Sequence, residues 1–161
     1  MLIRPIERKD NEAIAKVIRE SLVEHNVALP GTVYTDPTTD DLFSLFQTKQ
    51  SYYWVVEIDG LIVGGAGIFP TMGLPPGYTE LVKLYVNRMY RGMGIGQQLI
   101  DLCCKKAVNQ GYRYIYLETL PELDRAVSLY ERMGFEILTN PLGNSGHFAC
   151  SIWAVKKISQ S

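Results

Sequence analysis

Apolar positions along this chain recur with two periods, and the switching between them outlines a fold. Residues 2–6 read as a short apolar strand. From 11 to 25, Ile14, Val17, Ile18 and Leu22 fall on one face of a helix that Asp10 is placed to cap. Pro30, Gly31 and Pro37 then interrupt regular structure. A second helix is expected over 39–47, where Leu42, Phe43, Leu45 and Phe46 give a broad apolar surface. Aromatic and β-branched residues at 52–58 and 61–69 predict two strands, joined by the hairpin signal Asp59-Gly60. Gly64, Gly65 and Gly67 weaken the second of these strands, so they mark a bulge or a close approach of another backbone.

A Pro/Gly loop leads to a strand over 79–86. A helix follows over 94–109, with Ile95, Leu99, Leu102, Cys103 and Ala107 at helical spacing and Gly111 as its stop. Residues 114–119 read as a strand. Pro121 opens a helix with Ala126, Val127, Tyr130 and Met133 on one face, which Gly134 ends. Strands at 135–138 and 147–156 close the chain, joined by the turn-rich stretch 139–146. The order β α α β β β α β α β β contains an obligatory antiparallel hairpin, so the expected class is a mixed α/β (α+β) sheet covered by helices, in one domain over 1–161.

Composition narrows the function. A net charge of −1 argues against general nucleic-acid binding, which needs an excess of Lys and Arg. Of the three cysteines two are neighbours, Cys103 and Cys104, so a disulfide framework is not expected and a reducing, cytoplasmic setting fits. No apolar run approaches the roughly 18 residues of a membrane span, and the N-terminus lacks the apolar core of a signal peptide. His147 and Cys150 have no further spaced ligands, so no metal site is expected.

The informative stretch is 80–98, ELVKLYVNRMYRGMGIGQQ. Glycines at 92, 94 and 96, at a helix N-terminus, expose backbone N–H groups that an anion can approach closely, and the helix dipole adds partial positive charge. Lys83, Arg88 and Arg91 add formal charge, and no Asp or Glu lies between Glu80 and Asp101. The spacing is Gly-x-Gly-x-Gly rather than the dinucleotide pattern, and no Gly-Lys-Ser/Thr follows, so neither nucleotide fingerprint is met. What remains is Arg91-Gly92-Met93-Gly94-Ile95-Gly96 after a strand ending in Leu84 and Val86.

That arrangement resembles the acyl-CoA motif of the GNAT N-acetyltransferase superfamily. The run from Ala126 through Leu129 and Tyr130 to Gly134 and Phe135 resembles the family's A-x-x-L-Y-x-x-x-G-F element. Arg4, Pro5 and Asp10 resemble its opening strand and helix. Three residues before the alanine, where many members carry Asn, this chain has Leu123. The resemblance implies a mostly antiparallel central sheet of about seven strands flanked by about four helices. It also implies acetyl transfer from acetyl-CoA to a primary amine by direct attack in a ternary complex, with no metal. Leu84, Tyr85, Val86, Arg91, Gly92, Met93, Gly94, Ile95, Gly96 and Gln97 are then the cofactor-binding set.

The same resemblance makes Glu80 the general base and Tyr130 the acid that protonates the CoA thiolate. A free Glu titrates near about 4.3, so the base role requires burial to raise it. The plain alternatives are a solvated strand-end charge for Glu80 and a core phenol for Tyr130. Arg91, or Arg88 from the turn, would pair with phosphate. Residues 27–36, with Tyr34, and the turn residue His147 are the acceptor-side candidates by analogy with the family. The acceptor itself reads as a small-molecule amine, amino-acid-like in size, or a peptide N-terminus. The other function class is a non-catalytic acyl-CoA sensor or partner-recruiting module. The apolar ending 148–158 is read either as a homodimer contact or as an ordinary sheet strand.

Overall fold

The computed structural model describes residues 1–159. Asp59 and Gly60 both take positive φ (50° and 79°), the backbone twist of a tight two-residue hairpin. They join β2 (Tyr52–Ile58) to β3 (Leu61–Phe69). β1 (Leu2–Pro5) lies outside β2, and β4 (Tyr78–Val86) runs antiparallel on the other side of β3. β5 (Tyr114–Thr119), β6 (Glu136–Leu138) and β7 (Ile152–Lys157) complete a seven-stranded sheet of order β1-β2-β3-β4-β5-β7-β6. Every neighbouring pair is antiparallel except β4 with β5. β7 is paired on both edges within the chain, so it is an ordinary interior strand.

Four α-helices cover the sheet among the described residues. On one face α3 (Ile95–Asn109) and α4 (Asp124–Arg132) bury Leu99, Ile100, Cys103 and Ala107 against Ile115, Leu117 and Phe135. On the other, α1 (Asn11–Glu24) and the single turn α2 (Leu42–Leu45) bury Ile14, Ile18, Leu22 and Leu42 against Val55 and Leu120.

Four details differ from the sequence reading. The helix expected over 39–47 is a 3-10 turn, Pro37–Asp41, followed by α2. Asp36 caps the first by accepting from the Thr38 amide, and Asp41 breaks the run by capping the second through the Ser44 amide. Asp10 does not cap α1; its carboxylate is spent on the Arg4 guanidinium (2.8 and 2.9 Å) and the Glu7 amide. α4 begins at Asp124 because residues 120–123 form a separate turn, closed by Leu123 N–H to Leu120 C=O. The last strand begins at Ile152, because residues 147–151 bend toward the loop that follows α1.

The glycines of β3 mark both a bulge and close approach. The β3–β4 register slips between Gly65 and Gly67. On β4, Leu81 and Leu84 both enter the α3-side core, whereas Val82 and Tyr85 both pack on the α1 side. Alternation therefore breaks by one residue at Lys83, which has φ 51°. The ring of Tyr53 fits where Gly65 and Gly67 lack side chains, and its hydroxyl donates to the Lys83 carbonyl at 2.7 Å. A Cβ on Gly65 would lie 2.7 Å from both the Trp54 carbonyl oxygen and the Tyr53 ring. Gly65→Ala is expected to lower stability by about 2–3 kcal/mol, since backbone cannot move aside for the methyl group. Urea unfolding of the two proteins measures this, and superimposable curves would show that the ring does not depend on the glycine.

Candidate active site

β4 and β5 pair only over three residues, Tyr78 with Tyr114, Thr79 with Ile115 and Glu80 with Tyr116. Beyond Glu80 the bulge turns β4 away, and residues 117–119 of β5 keep only β7, which pairs along the whole of their far edge. The result is a wedge-shaped gap in the middle of the sheet, which opens into a cavity of about 620 Å³. The β4 edge carrying Leu84, Tyr85 and Val86 faces this gap with no strand beside it. Apart from the Val86 carbonyl, which accepts from Arg91, the main-chain groups on that edge are therefore open to a ligand lying in the sheet plane.

At one mouth of the cavity stands the start of α3. Gly92 and Gly94 have φ of 79° and 77°, and Gly94 is the N-cap residue, with no side chain to satisfy the first-turn amides. A Cβ at either glycine would meet nothing within 4 Å, so the turn is open to a bulky anion. Gly92, Gly94, Ile95, Gly96 and Gln97 line the cavity. Met93 is exposed and lies outside the lining. Gly96 has a different reason to be small, since a Cβ there would lie 3.0 Å from Leu129 of α4. This amide nest at the N-terminus of a fifteen-residue helix fits a pyrophosphate.

The basic residues divide differently from the sequence reading. Arg91 lines the cavity, but its guanidinium is held by Glu24 (2.8 and 3.2 Å), Ser21 (3.3 Å) and the Val86 carbonyl (2.9 Å), bracing α1 against the turn. Lys83 does not reach the turn at all; it is buried beside Asp36. Arg125 and Arg132 of α4, absent from the sequence-derived set, line the same cavity.

Tyr130 is buried and packs edge-on against Phe135, with ring centroids 5.7 Å apart. Its hydroxyl has no protein partner among the described residues, and the side chain lines the cavity. Burial raises its phenol well above the ordinary value, so it carries its proton throughout the neutral range. Leu123 contributes an apolar wall.

The opposite part of the cavity is lined by Glu80, Lys83 and Glu118, with Asp36, Thr71 and His147 behind them and outside the lining. Glu80 is buried, and the Thr71 hydroxyl donates to its carboxylate. Burial raises its pKa to about 7; the negative charge of Glu118 adds to the rise, against the opposing effects of Thr71, His147 and Lys83. Glu118 accepts from the Tyr116 hydroxyl (2.8 Å) and from Ser145. His147 donates from Nε2 to Asp36 at 2.9 Å. Burial opposes ionisation of Asp36, but the bond from His147, the charge of Lys83 and two bonds from Thr38 outweigh it. Its carboxyl is held far below the ordinary range. Cys150 also lines the cavity, with its thiol pushed up to about 12 by burial and the nearby carboxylates.

Three loops close over this part. Besides the His147–Asp36 bond, the Ala149 amide donates to the Gly31 carbonyl (3.0 Å), Phe148 lies on Gly31, and the Asn144 amide donates to Met72 (2.7 Å). The loop over 27–36 thus contributes Thr32 and Val33 to the cavity, whereas Tyr34 lies outside the lining, half-buried against the α1-side core beneath the Arg19 guanidinium. Asp36 ends the 27–36 region that the sequence reading selected, whereas Glu118, which lines the cavity, and Thr71, which bonds Glu80 from behind it, were not selected. Glu118 had a usable signal, an acid at the end of a strand; Thr71 sits in a loop with none.

The sequence model of the acetyltransferase (GNAT) family matches residues 19–135. The uncharacterized N-acetyltransferase YjgM of Escherichia coli (strain K12) is 35% identical over 158 residues, which cover 98% of this chain and 95% of YjgM. A GNAT-family acetyltransferase of Staphylococcus aureus Mu50 superposes with a TM-score of 0.86 at 20% identity, over 98% of this chain and 99% of that one. The PaiA N-acetyltransferase of Thermoplasma acidophilum, solved in complex with coenzyme A, superposes with a TM-score of 0.75 at 17% identity, over 97% and 98% of the two chains. The structures share the fold, and the sequence matches go further: with most of its length in the family pattern and nearly all of it aligned to YjgM, this chain belongs to the GNAT acetyltransferase family.

Proposed function

We propose that the protein transfers an acetyl group from acetyl-CoA to a primary amine of a small molecule, by direct attack in the wedge between β4 and β5. The observation that carries this reading is the position of Glu80 and Tyr130 on the walls of one cavity that also contains the amide nest of α3. The nest and the open glycine turn take the pyrophosphate. The free β4 edge at Leu84, Tyr85 and Val86 holds the pantetheine and polarises the thioester oxygen. The amine nitrogen forms a bond to the thioester carbonyl carbon as the C–S bond breaks. The proton lost from nitrogen goes to Glu80, directly or through water, and the departing sulfur receives a proton from Tyr130. A carboxylate with a pKa of about 7 suits the first task, because it is largely ionised at slightly alkaline pH yet is a far better base than a free Glu. The three free cysteines support a reducing, cytoplasmic setting for this chemistry. Among the described residues no helix is long and apolar enough to cross a membrane.

Thiol release from acetyl-CoA across an amine panel, with calorimetric titration of CoA, tests the reading. Turnover with at least one amine is expected. CoA binding without turnover on any amine would overturn it in favour of an acyl-CoA sensor. With a productive amine, kcat/KM is expected to rise with pH through a midpoint near 7. Glu80→Gln is expected to remove that limb and lower kcat by about 100-fold or more. Tyr130→Phe is expected to lower kcat by about 10-fold or more with CoA affinity retained; a variant at full kcat removes Tyr130 from the mechanism.

The same carboxyl makes a prediction about stability. Its folded pKa is raised above the unfolded value of 4.5, so between these limits the unfolded chain binds fewer protons than the native one. Native stability from this group is therefore fully present below 4.5 and is lost as pH rises through about 7. The loss approaches about 3 kcal/mol at 1.36 kcal/mol per pKa unit. Chemical denaturation of Glu80→Gln at pH 5 and pH 8 is expected to show the variant gaining on the parent as pH rises. An equal difference at both values would contradict it.

A further inference from the structure

Acetyl transfer as set out above gives Lys83 no task, yet Lys83 is among the costliest residues in the fold. Its side chain is 3% exposed, and burying an ammonium costs several kcal/mol unless it is well paired. Its backbone lies in the left-handed region at φ 51°, which disfavours a residue with a Cβ. Among the described residues its ammonium has one hydrogen-bond partner, Asp36, at 3.5 Å, the outer limit of such a contact. Asp36 does not need it: that carboxylate already accepts from His147 at 2.9 Å and from the Thr38 amide and hydroxyl at 2.9 and 2.6 Å. An ammonium has three donors, and this one is left with most of its capacity unused. The side chain lines the cavity on the acceptor side.

The bulge brings Lys83 to this position. In a regular strand Lys83 would point away from Glu80, three residues earlier. The extra residue reverses the parity, so both line one slot and each acts on the charge of the other. Three residues of strand span roughly 10 Å, and two long side chains reaching into a shared cavity reduce that to the size of a small bifunctional molecule. The surrounding charge also discriminates. Arg19, Asp36 and Glu80 are the charged groups acting on Lys83, and Glu118 lies across the cavity beside Glu80. A simple amine or a polyamine entering as a cation would be drawn to the two glutamates but repelled by the lysine. A molecule with an anion beside its amine is attracted at both ends.

We infer that the acceptor is a primary amine that also carries an anionic group, a free amino acid being the simplest such compound. Lys83 receives the anion while the amine nitrogen lies at Glu80. The inference rests on the acetyl-transfer reading and narrows its substrate. Asp36, pinned by His147 and Thr38, orients the ammonium without saturating it.

The test compares free L-amino acids, their methyl esters and the corresponding decarboxylated amines as acceptors in the thiol-release assay. The esters and amines keep the nucleophile and lose the anion. The expected result for the parent protein is at least one amino acid favoured over its own ester and amine by 30-fold or more in kcat/KM, with the difference mainly in KM. Lys83→Met is expected to bring that ratio close to one. Its thermal unfolding should remain cooperative, because an apolar side chain replaces a buried charge. Esters and amines used as well as the amino acids, or a preference that persists in Lys83→Met, would overturn the role of Lys83 and leave acetyl transfer standing. No turnover with any acceptor, while CoA still binds by calorimetry, would remove the acetyl-transfer reading and this inference with it.

Discussion

The bond from the Tyr53 hydroxyl to the Lys83 carbonyl holds the rest of the site in place. It forms because Gly65 and Gly67 leave room for the phenol ring over β3, and it fixes the one residue by which β4 exceeds its partner. That surplus residue bends β4 from β5 after three paired positions. The gap, the unpaired strand edge and the shared orientation of Glu80 and Lys83 all follow from it. A regular sheet of the same composition would have a continuous core and no cavity. Strand geometry is thus sacrificed locally, at a positive φ and a broken ladder, and the wedge is the gain.

On the proposed reading, the two substrate sides around the wedge are built by different means. The donor side consists mainly of main-chain groups: amides of a glycine turn, the start of α3 and the edge of β4. Arg91 supports it by bracing Glu24 and the end of α1. The acceptor side consists of side chains on strands and three loops, where burial sets the chemistry. Glu80 is raised by removal from water, whereas Asp36, only half-buried, is lowered because it has three bonded donors and a neighbouring cation. The same residue class therefore takes two charge states within one cavity, decided by hydrogen bonding rather than by depth alone.

Much of this was legible in the sequence because it is local. The Asp59-Gly60 hairpin, the glycine turn before α3, the apolar stripe of that helix and the strand ranges 52–58, 61–69 and 114–119 depend on neighbouring residues, and they appear where periodicity and turn chemistry put them. The bulge was half legible: three glycines in a strand announce an irregularity, but not that Tyr53 fills the space. What escaped was long-range. Asp10 reads as a helix cap until Arg4 claims it. Lys83 and Arg91 read as phosphate ligands until Asp36 and Glu24 are found opposite them. Asp36 and His147 are 111 positions apart and meet only when two loops close. No spacing rule connects such pairs.

The division between main-chain and side-chain recognition bears on how such a protein changes over time. A glycine turn and a strand edge offer the same amides whatever side chains surround them, so a donor grip of the proposed kind tolerates wide drift in sequence. The acceptor side has no such tolerance, since a few exchanges in the loops around Asp36, Thr71 and His147 would alter its charge and shape without touching the donor cradle. On that reading one half of the cleft is fixed by backbone geometry, and the other is free to diversify.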